Sequence, residues 1–527
     1  MTRSNAKKVI IVGAGIGGLS AAVDLAAEGL DVTVFEQAYA PGGKLRQFPS
    51  DAGPVDAGPT VLTMRPVFEA LFERAGARLS EHITLTPETV LARHWWQDGS
   101  TLDLFADPAE SANAVADFAG RTARDEFVTF SNTTRRLFNA FNEPVMRSHK
   151  PSLSVLGRTV LRDARRLLPA MAPLSTLAGS LSRSFTDPRL RQLFGRYATY
   201  VGGSPFSSPA LLSLIWDVES QGVWRVKGGM LGLAKALEKV ATERGAIFHY
   251  GATVDRIVTE RGRVAGVTLD NGEHIAAEKV IFNGDPAALS RGLLGERIRR
   301  AVKRKAVAPR SLSAYVWAFA AKPSGAPLRH HNVFFGQRQE NEFNAVARGE
   351  IPSDPTLYVC AQDRGDGTKP PETERFEIIM NGAPGRKAPH DPAEEFEQCR
   401  TRTFRTLQRM NLDFDVIPQR LSLITPSDFA ARFPASDGSL YGRSPHGMRA
   451  TFHRPTARSR VKGLYLAGGG VHPGAGLPMA SLSGQHAAGA ILMDLASTSR
   501  SRKTAMHGGT STASQMMANG PSQSSGS

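Results

Sequence analysis

Residues 9–12, VIIV, form a continuous apolar run rich in β-branched side chains. Such a run predicts a short strand buried on both faces. GAGIGG follows, and then LSAAVDLAAEG carries apolar positions at helical spacing. That pattern predicts a helix closed by Gly29 at the usual place for a C-terminal glycine. DVTVFE is a second predicted strand, ending in Glu36. Two parallel strands joined by one helix make a βαβ unit of about 30 residues.

Two further blocks carry the same kind of signal. Within residues 225–290, GGMLGLAKALEKVATERG predicts an amphipathic helix closed by Gly245, and Asp270-Asn271-Gly272 between apolar segments predicts a hairpin. Near the C-terminus, GLYLAGGGVHPGAGLPMASLSGQHAAGAILMDLA predicts a strand, a Gly-rich loop and a helix. The intervening stretches, 96–224 and 291–455, are proline-bearing and mixed in period, which predicts an inserted domain built from two segments. The expected organisation is therefore a nucleotide-binding unit assembled from 1–95, 225–290 and 456–496, an inserted unit, and a tail. The tail, 497–527, is Ser/Gly-rich with almost no large apolar side chains. It cannot bury enough surface to offset its ordering entropy and is expected to be disordered.

A chain of 527 residues accommodates two or three such domains. Hydrophobic residues at 41% and charged ones at 21% exclude a wholly disordered chain, a collagen and a coiled coil. Cys360 and Cys399 are too few for a disulfide framework and fit a reducing compartment, as free thiols rather than a redox pair. No run of about 18 apolar residues predicts a transmembrane helix. Lys7-Lys8 ahead of an apolar run mimics a signal peptide, but four glycines and Asp24 within that run argue for mature protein.

Charge changes the picture more. The net charge of +15 points to an anionic partner, a membrane surface or nucleic acid. From Arg147 to Arg196 ten Lys/Arg stand against two acids, interleaved with leucines and valines, and 295–310 is a second basic run. Basic residues among leucines suit a helix lying on an anionic membrane, although a solvated basic face has the same composition. Nucleic-acid binding is not expected, because no DNA- or RNA-reading motif accompanies the charge.

Gly13-x-Gly15-x-x-Gly18 sits between the first predicted strand and helix, with Gly17 inside it. Gly13 permits the tight turn, Gly15 lets backbone approach a pyrophosphate, and Gly18 allows close helix–strand packing. The helix N-terminus then faces the phosphates. Glu36 is placed to accept hydrogen bonds from an adenosine ribose, and its charge disfavours NADP. FAD and NAD share this fingerprint. No HExxH, CxxC or GxSxG pattern brings a metal or a nucleophile.

FEQAYAPGGKLRQF, VDAGPTVLT, GGMLGLAKAL…ATVDRI and LYLAGGGVHPGAGLPMASLSGQHAA together resemble the bacterial-type carotenoid (phytoene) desaturases, FAD-containing relatives of the amine oxidases. The resemblance covers nearly all of 8–495. It implies a Rossmann-like FAD-binding α/β domain with an inserted α+β substrate domain. It also implies cofactor contacts at Gly42, Gly43 and Lys44, at Gly58, Pro59 and Thr60, and through the Val254 backbone to the adenine. Gly469 and Gly470 take the place of the acid that many amine-oxidase relatives carry, and a helix starting near Pro478-Met479 faces the flavin pyrimidine edge. Lys44 stands where the family more often has Arg, so it offers charge without a bidentate fork.

YVGGSP at 200–205 and GVWRVKGGM at 222–230 resemble the hydroxycarotenoid 3,4-desaturases in particular, whose substrates are 1-hydroxy or 1-methoxy acyclic carotenoids of purple bacteria. The implied reaction is hydride transfer to the flavin with proton loss from the adjacent carbon. The polyene stabilises the developing cation, so no strong base is required, and none is assigned; His472 is the candidate for flavin or substrate contact. Oxygen or a quinone is the expected acceptor, and the expected location is the bacterial cytoplasm, peripherally bound to the cytoplasmic or intracytoplasmic membrane. Alternatives are a phytoene desaturase and a flavin-containing carotenoid-binding protein without turnover.

Overall fold

A computed structural model describes residues 7–149, 153–162, 164–172, 175–365, 367–385, 391–447 and 450–506. Five parallel strands form one sheet, in the order Leu464–Leu466, Lys279–Phe282, Lys8–Val12, Asp31–Glu36, Ile247–Tyr250. The first predicted strand lies at its centre, and Val9, Ile10 and Ile11 are fully buried. Helix Ile16–Ala27 follows it, and Gly29 beyond its end takes φ 76°. The three blocks distant in sequence thus contribute to one sheet. The predicted hairpin is the pair Arg263–Leu269 and His274–Ala276, with Gly272 at φ 86° in its turn.

A second sheet of seven mixed strands runs Leu423–Ile424, Ser313–Ala321, Glu374–Gly382, Leu357–Ala361, His331–Phe334, Val90–Trp95, Thr101–Phe105. Here the structure corrects the expected boundary at residue 95. Val90–Trp95 joins this second sheet, pairing in parallel with His331–Phe334, so the nucleotide-binding segment ends before it. Leu85–Pro87 pairs with Trp224–Val226 as a separate two-stranded sheet.

Four helices open on the same two residues. Asp107-Pro108, Asp187-Pro188, Asp285-Pro286 and Asp391-Pro392 each place Asp at the N-cap and Pro at the first helical position. The Asp carboxylate accepts a first-turn N–H, and Pro lacks the N–H that would otherwise go unpaired. Helix Pro108–Phe141 is broken at Gly120, φ 88°. Helix Pro392–Arg409 closes an aromatic core in which Phe404 meets Trp317 and Phe414. Helix Leu477–Met506 carries the chain ten residues into the expected tail, and 507–527 lie outside the described residues.

The two glycine-rich ends pack backbone to backbone. A Cβ on Gly18 would lie 2.1 Å from the Gly13 carbonyl oxygen, and one on Gly484 would lie 2.0 Å from that of Gly17. Ser20 and Ser481 share a 2.8 Å hydrogen bond across the same helix pair. Gly18→Ala should therefore destabilise the fold by about 3 kcal/mol or more, because main chain rather than a movable side chain stands in the way. Gly29→Ala, with open space but a left-handed φ, should cost about 1–2 kcal/mol. Thermal unfolding of both variants checks the pair; equal losses would contradict the steric account.

Candidate flavin site

Gly13 adopts φ 100° and its N–H donates to the Phe35 carbonyl at 2.7 Å, which turns the chain sharply off the first strand. Gly15 is the N-cap of helix Ile16–Ala27 and provides no side-chain cap. The first-turn N–H groups are thus left for a ligand at the positive end of the helix dipole. Gly42 donates to the Ala14 carbonyl at 2.9 Å, and a Cβ on Gly43 would come within 3.2 Å of Gly15 Cα. Two glycine turns therefore face each other across a gap that side chains would close.

Glu36 is buried at the end of its strand. One oxygen accepts from Ala14 N–H at 2.7 Å and the other from Ala38 N–H at 2.9 Å. Each carboxylate oxygen keeps a second lone pair, so the ribose-facing role stays chemically open. Ala252 N–H donates to the Glu36 carbonyl, which brings the chain leading into Val254 beside the acid.

Lys44 is committed elsewhere. Its ammonium donates to the Leu440 carbonyl and lies 5.4 Å from the Phe433 ring centre. Burial pushes its pKa down to about 8, against the pull of Asp285. Gly58 packs on the same turn, since a Cβ there would meet the Lys44 carbonyl at 2.2 Å. Pro59 is exposed, and Thr60 is buried with its hydroxyl 2.8 Å from the Tyr358 hydroxyl.

At the C-terminal loop, Gly468 N–H donates to Ser483 Oγ at 2.7 Å, fixing the loop to its helix. Arg454 is buried, donating to the carbonyls of Gly469, Tyr441 and Arg443. Gly470 lies against Pro286, where a Cβ would come within 2.8 Å of the ring. Pro478 and Met479 open the last helix as expected. His472 is held by main chain: its Nε2 lies 2.9 and 3.0 Å from the Val145 and Ser148 carbonyls, and burial pushes its pKa down.

Sequence reasoning missed Asn283. It follows the strand Lys279–Phe282, and its amide donates to the carbonyls of Gly13 at 3.0 Å and Gly15 at 3.4 Å. Its Oδ1 is buried without a hydrogen-bond partner. The FNGDP segment reads as an ordinary turn, so only the tertiary pairing exposes this residue. A second missed group is His330, His331 and Cys360, whose ligand-type atoms lie within 4.8 Å of one another. Cys360 and Cys399 are both free and buried.

The cradle fits a dinucleotide: facing glycines, an uncapped helix N-terminus and a buried acid at the end of the next strand. Comparison with known proteins agrees. Residues 16–492 match the family of flavin containing amine oxidoreductases. The chain is 53% identical to the hydroxyneurosporene desaturase of Cereibacter sphaeroides, over 94% of this chain and 99% of that one. With the hydroxyneurosporene desaturase of Rhodobacter capsulatus it shares 51% identity, over 93% of this chain and 99% of that one. Among solved structures, cyclohexylamine oxidase from Brevibacterium oxydans superposes with a TM-score of 0.53 at 19% identity, covering 93% of this chain and 100% of that one, a likeness of fold. The cofactor is FAD, and the chain belongs to the flavin-containing amine oxidoreductases as a member of their carotenoid desaturase group.

Proposed function

We propose that this chain is an FAD-dependent desaturase that introduces the C-3,4 double bond into 1-hydroxy or 1-methoxy acyclic carotenoids. The observation that carries the reading is the 53% identity to a hydroxyneurosporene desaturase across nearly the whole chain. Bound FAD supplies the hydride acceptor that no amino-acid side chain provides.

The chain's own residues bind and orient. Gly13, Gly15, Gly17 and Gly18 with the first-turn N–H groups hold the pyrophosphate, and Glu36 takes the ribose hydroxyls on its free lone pairs. Gly42 and Gly43 leave the approach open, and the half-buried Lys44 contributes charge. The Val254 backbone meets the adenine. Gly58, Pro59 and Thr60, with Gly469, Gly470 and the helix start at Pro478 and Met479, would hold the flavin end of the cofactor. The conjugation of the polyene itself would stabilise the charge that develops as hydride is lost, so no strong protein base is required. Oxygen or a quinone takes the electrons onward.

The same reading places the protein on the cytoplasmic face of a membrane. Among the described residues no helix is long and apolar enough to cross one. Helices Leu153–Arg162 and Ala164–Met171 instead carry exposed Arg158 and Arg165 around Leu161, which is 77% exposed. The side chains of Arg162 and Arg166 lie outside the described residues.

Anaerobic mixing of the FAD-loaded protein with a 1-hydroxylated acyclic carotenoid should bleach the flavin; a spectrum that stays oxidised would mark a binding protein without turnover. Arg158→Gln with Arg165→Gln should weaken binding to anionic liposomes by about 2 kcal/mol, at about 1 kcal/mol per basic residue. Binding equal to that of the parent would remove this surface as the docking face.

A further inference from the structure

Beyond the flavin cradle, the inserted unit buries a polar network that the site above does not use. Arg196 is 6% exposed, and its Nη1 donates to the Tyr200 hydroxyl at 3.1 Å. Tyr197 and Tyr200 both donate to Glu219, at 2.8 and 2.6 Å, and Glu219 also faces Arg196 Nη2 at 4.0 Å. On the opposite wall, His331 Nδ1 lies 2.7 Å from the Tyr358 hydroxyl, which is also bonded to Thr60.

Three groups in this network have no hydrogen-bond partner although buried: Arg196 Nε, Arg196 Nη2 and His331 Nε2. Arg196 and His331 line one small cavity with Tyr200, Glu219, Tyr358 and Val61, with room for about one water-sized group. Leaving buried donors unpaired is costly, so a group with a single oxygen is expected to fill the cavity.

The chemistry of that group follows from the walls. Glu219 already balances Arg196, so a carboxylate or phosphate would meet an acid, and a cation would meet a guanidinium. Burial, with His330 and Arg196 adding to it, pushes His331 far below its ordinary pKa, so the ring is neutral. What suits a guanidinium on one side and a neutral imidazole on the other is an uncharged hydroxyl. Its oxygen accepts from Arg196, and it donates to or accepts from His331 Nε2 according to the tautomer set by Tyr358. Val61, Leu91 and Val223 complete its lining with apolar surface, so the hydroxyl oxygen alone enters the cavity.

The position also suits the reaction. Contacts run from Gly15 to Gly43, from Lys44 to Gly58, and from Thr60 through Tyr358 to His331. Thr60, at the end of the expected flavin-lining segment, is thus bonded directly to the cavity wall. C-1, which bears the hydroxyl, is only two bonds from the first of the carbons to be dehydrogenated, so the anchor must lie near the cofactor.

We infer that Arg196 and His331 form the recognition site for the C-1 hydroxyl of the carotenoid and set both the substrate preference and the bond that faces the flavin. The inference rests on the desaturase reading. Its test compares kcat/KM of the FAD-loaded protein on a 1-hydroxylated acyclic carotenoid and on the same polyene without the hydroxyl. The parent should prefer the hydroxylated polyene by about 10,000-fold, the rejection expected when a site built for a hydroxyl is left unpaired. Arg196→Met would strand Glu219 and endanger folding, so the working variants are His331→Phe, which removes the ring nitrogen, and Val61→Ile, whose extra methyl fills a cavity of this size.

Both variants should reduce that preference at least tenfold, entirely through the hydroxylated substrate, with flavin content unchanged. An unchanged preference, or parallel loss on both polyenes, overturns the inference. If the parent dehydrogenates neither polyene, the desaturase reading fails by itself. Equilibrium binding of the two polyenes then decides the hydroxyl site: a preference lost in His331→Phe supports it, and the absence of one refutes it.

Discussion

At the N-terminus of the helix Ile16–Ala27, segments hundreds of residues apart meet main chain to main chain. Asn283 reaches the carbonyls of Gly13 and Gly15, and Gly18 leaves no room for a Cβ against Gly13. A Cβ on Gly17 would lie 2.7 Å from Gly468 N, and Gly484 packs on the Gly17 carbonyl. This close approach holds the three blocks of the nucleotide-binding unit in one piece. It also keeps the helix N-terminus clear of side chains, so the constraint that builds the fold is the one that leaves space for the cofactor.

From that point the structure grades from backbone to side-chain chemistry. The cradle is made of carbonyls, amide groups and one acid, which suits a cofactor whose phosphates and sugar need many small contacts. Farther out, the inserted unit presents aromatic and aliphatic walls with a buried network at Arg196, Glu219, His331 and Tyr358. The Thr60–Tyr358 hydrogen bond joins the two regions. A flavin in the first and a polyene end in the second would be held by one continuous set of contacts.

Much of this was legible in the chain because it is local. The apolar run at 9–12, the glycine spacing and Glu36 specify a βαβ unit within thirty residues, and the Asp270-Asn271-Gly272 turn announces its own hairpin. What was not legible is pairing over distance. Val90–Trp95 carries Arg93 and His94 within it, and its place in the second sheet depends on His331–Phe334, more than two hundred residues away. Asn283 looks like turn chemistry until its amide is seen on the glycine loop. The Arg196 network is spread over Thr60, Tyr200, Glu219, His331 and Tyr358, so no spacing rule gathers it. The contacts of Lys44 and His472 with main-chain carbonyls were hidden for the same reason.

The reaction proposed for this chain is dehydrogenation of a carotenoid that already carries oxygen at its end. Product analysis with the purified FAD-loaded protein tests this most directly, offering 1-hydroxyneurosporene and phytoene in parallel. The account predicts a product lengthened by one double bond at C-3,4 from the hydroxylated substrate and little or none from phytoene. Efficient conversion of phytoene, with the hydroxylated carotenoid left intact, would contradict it.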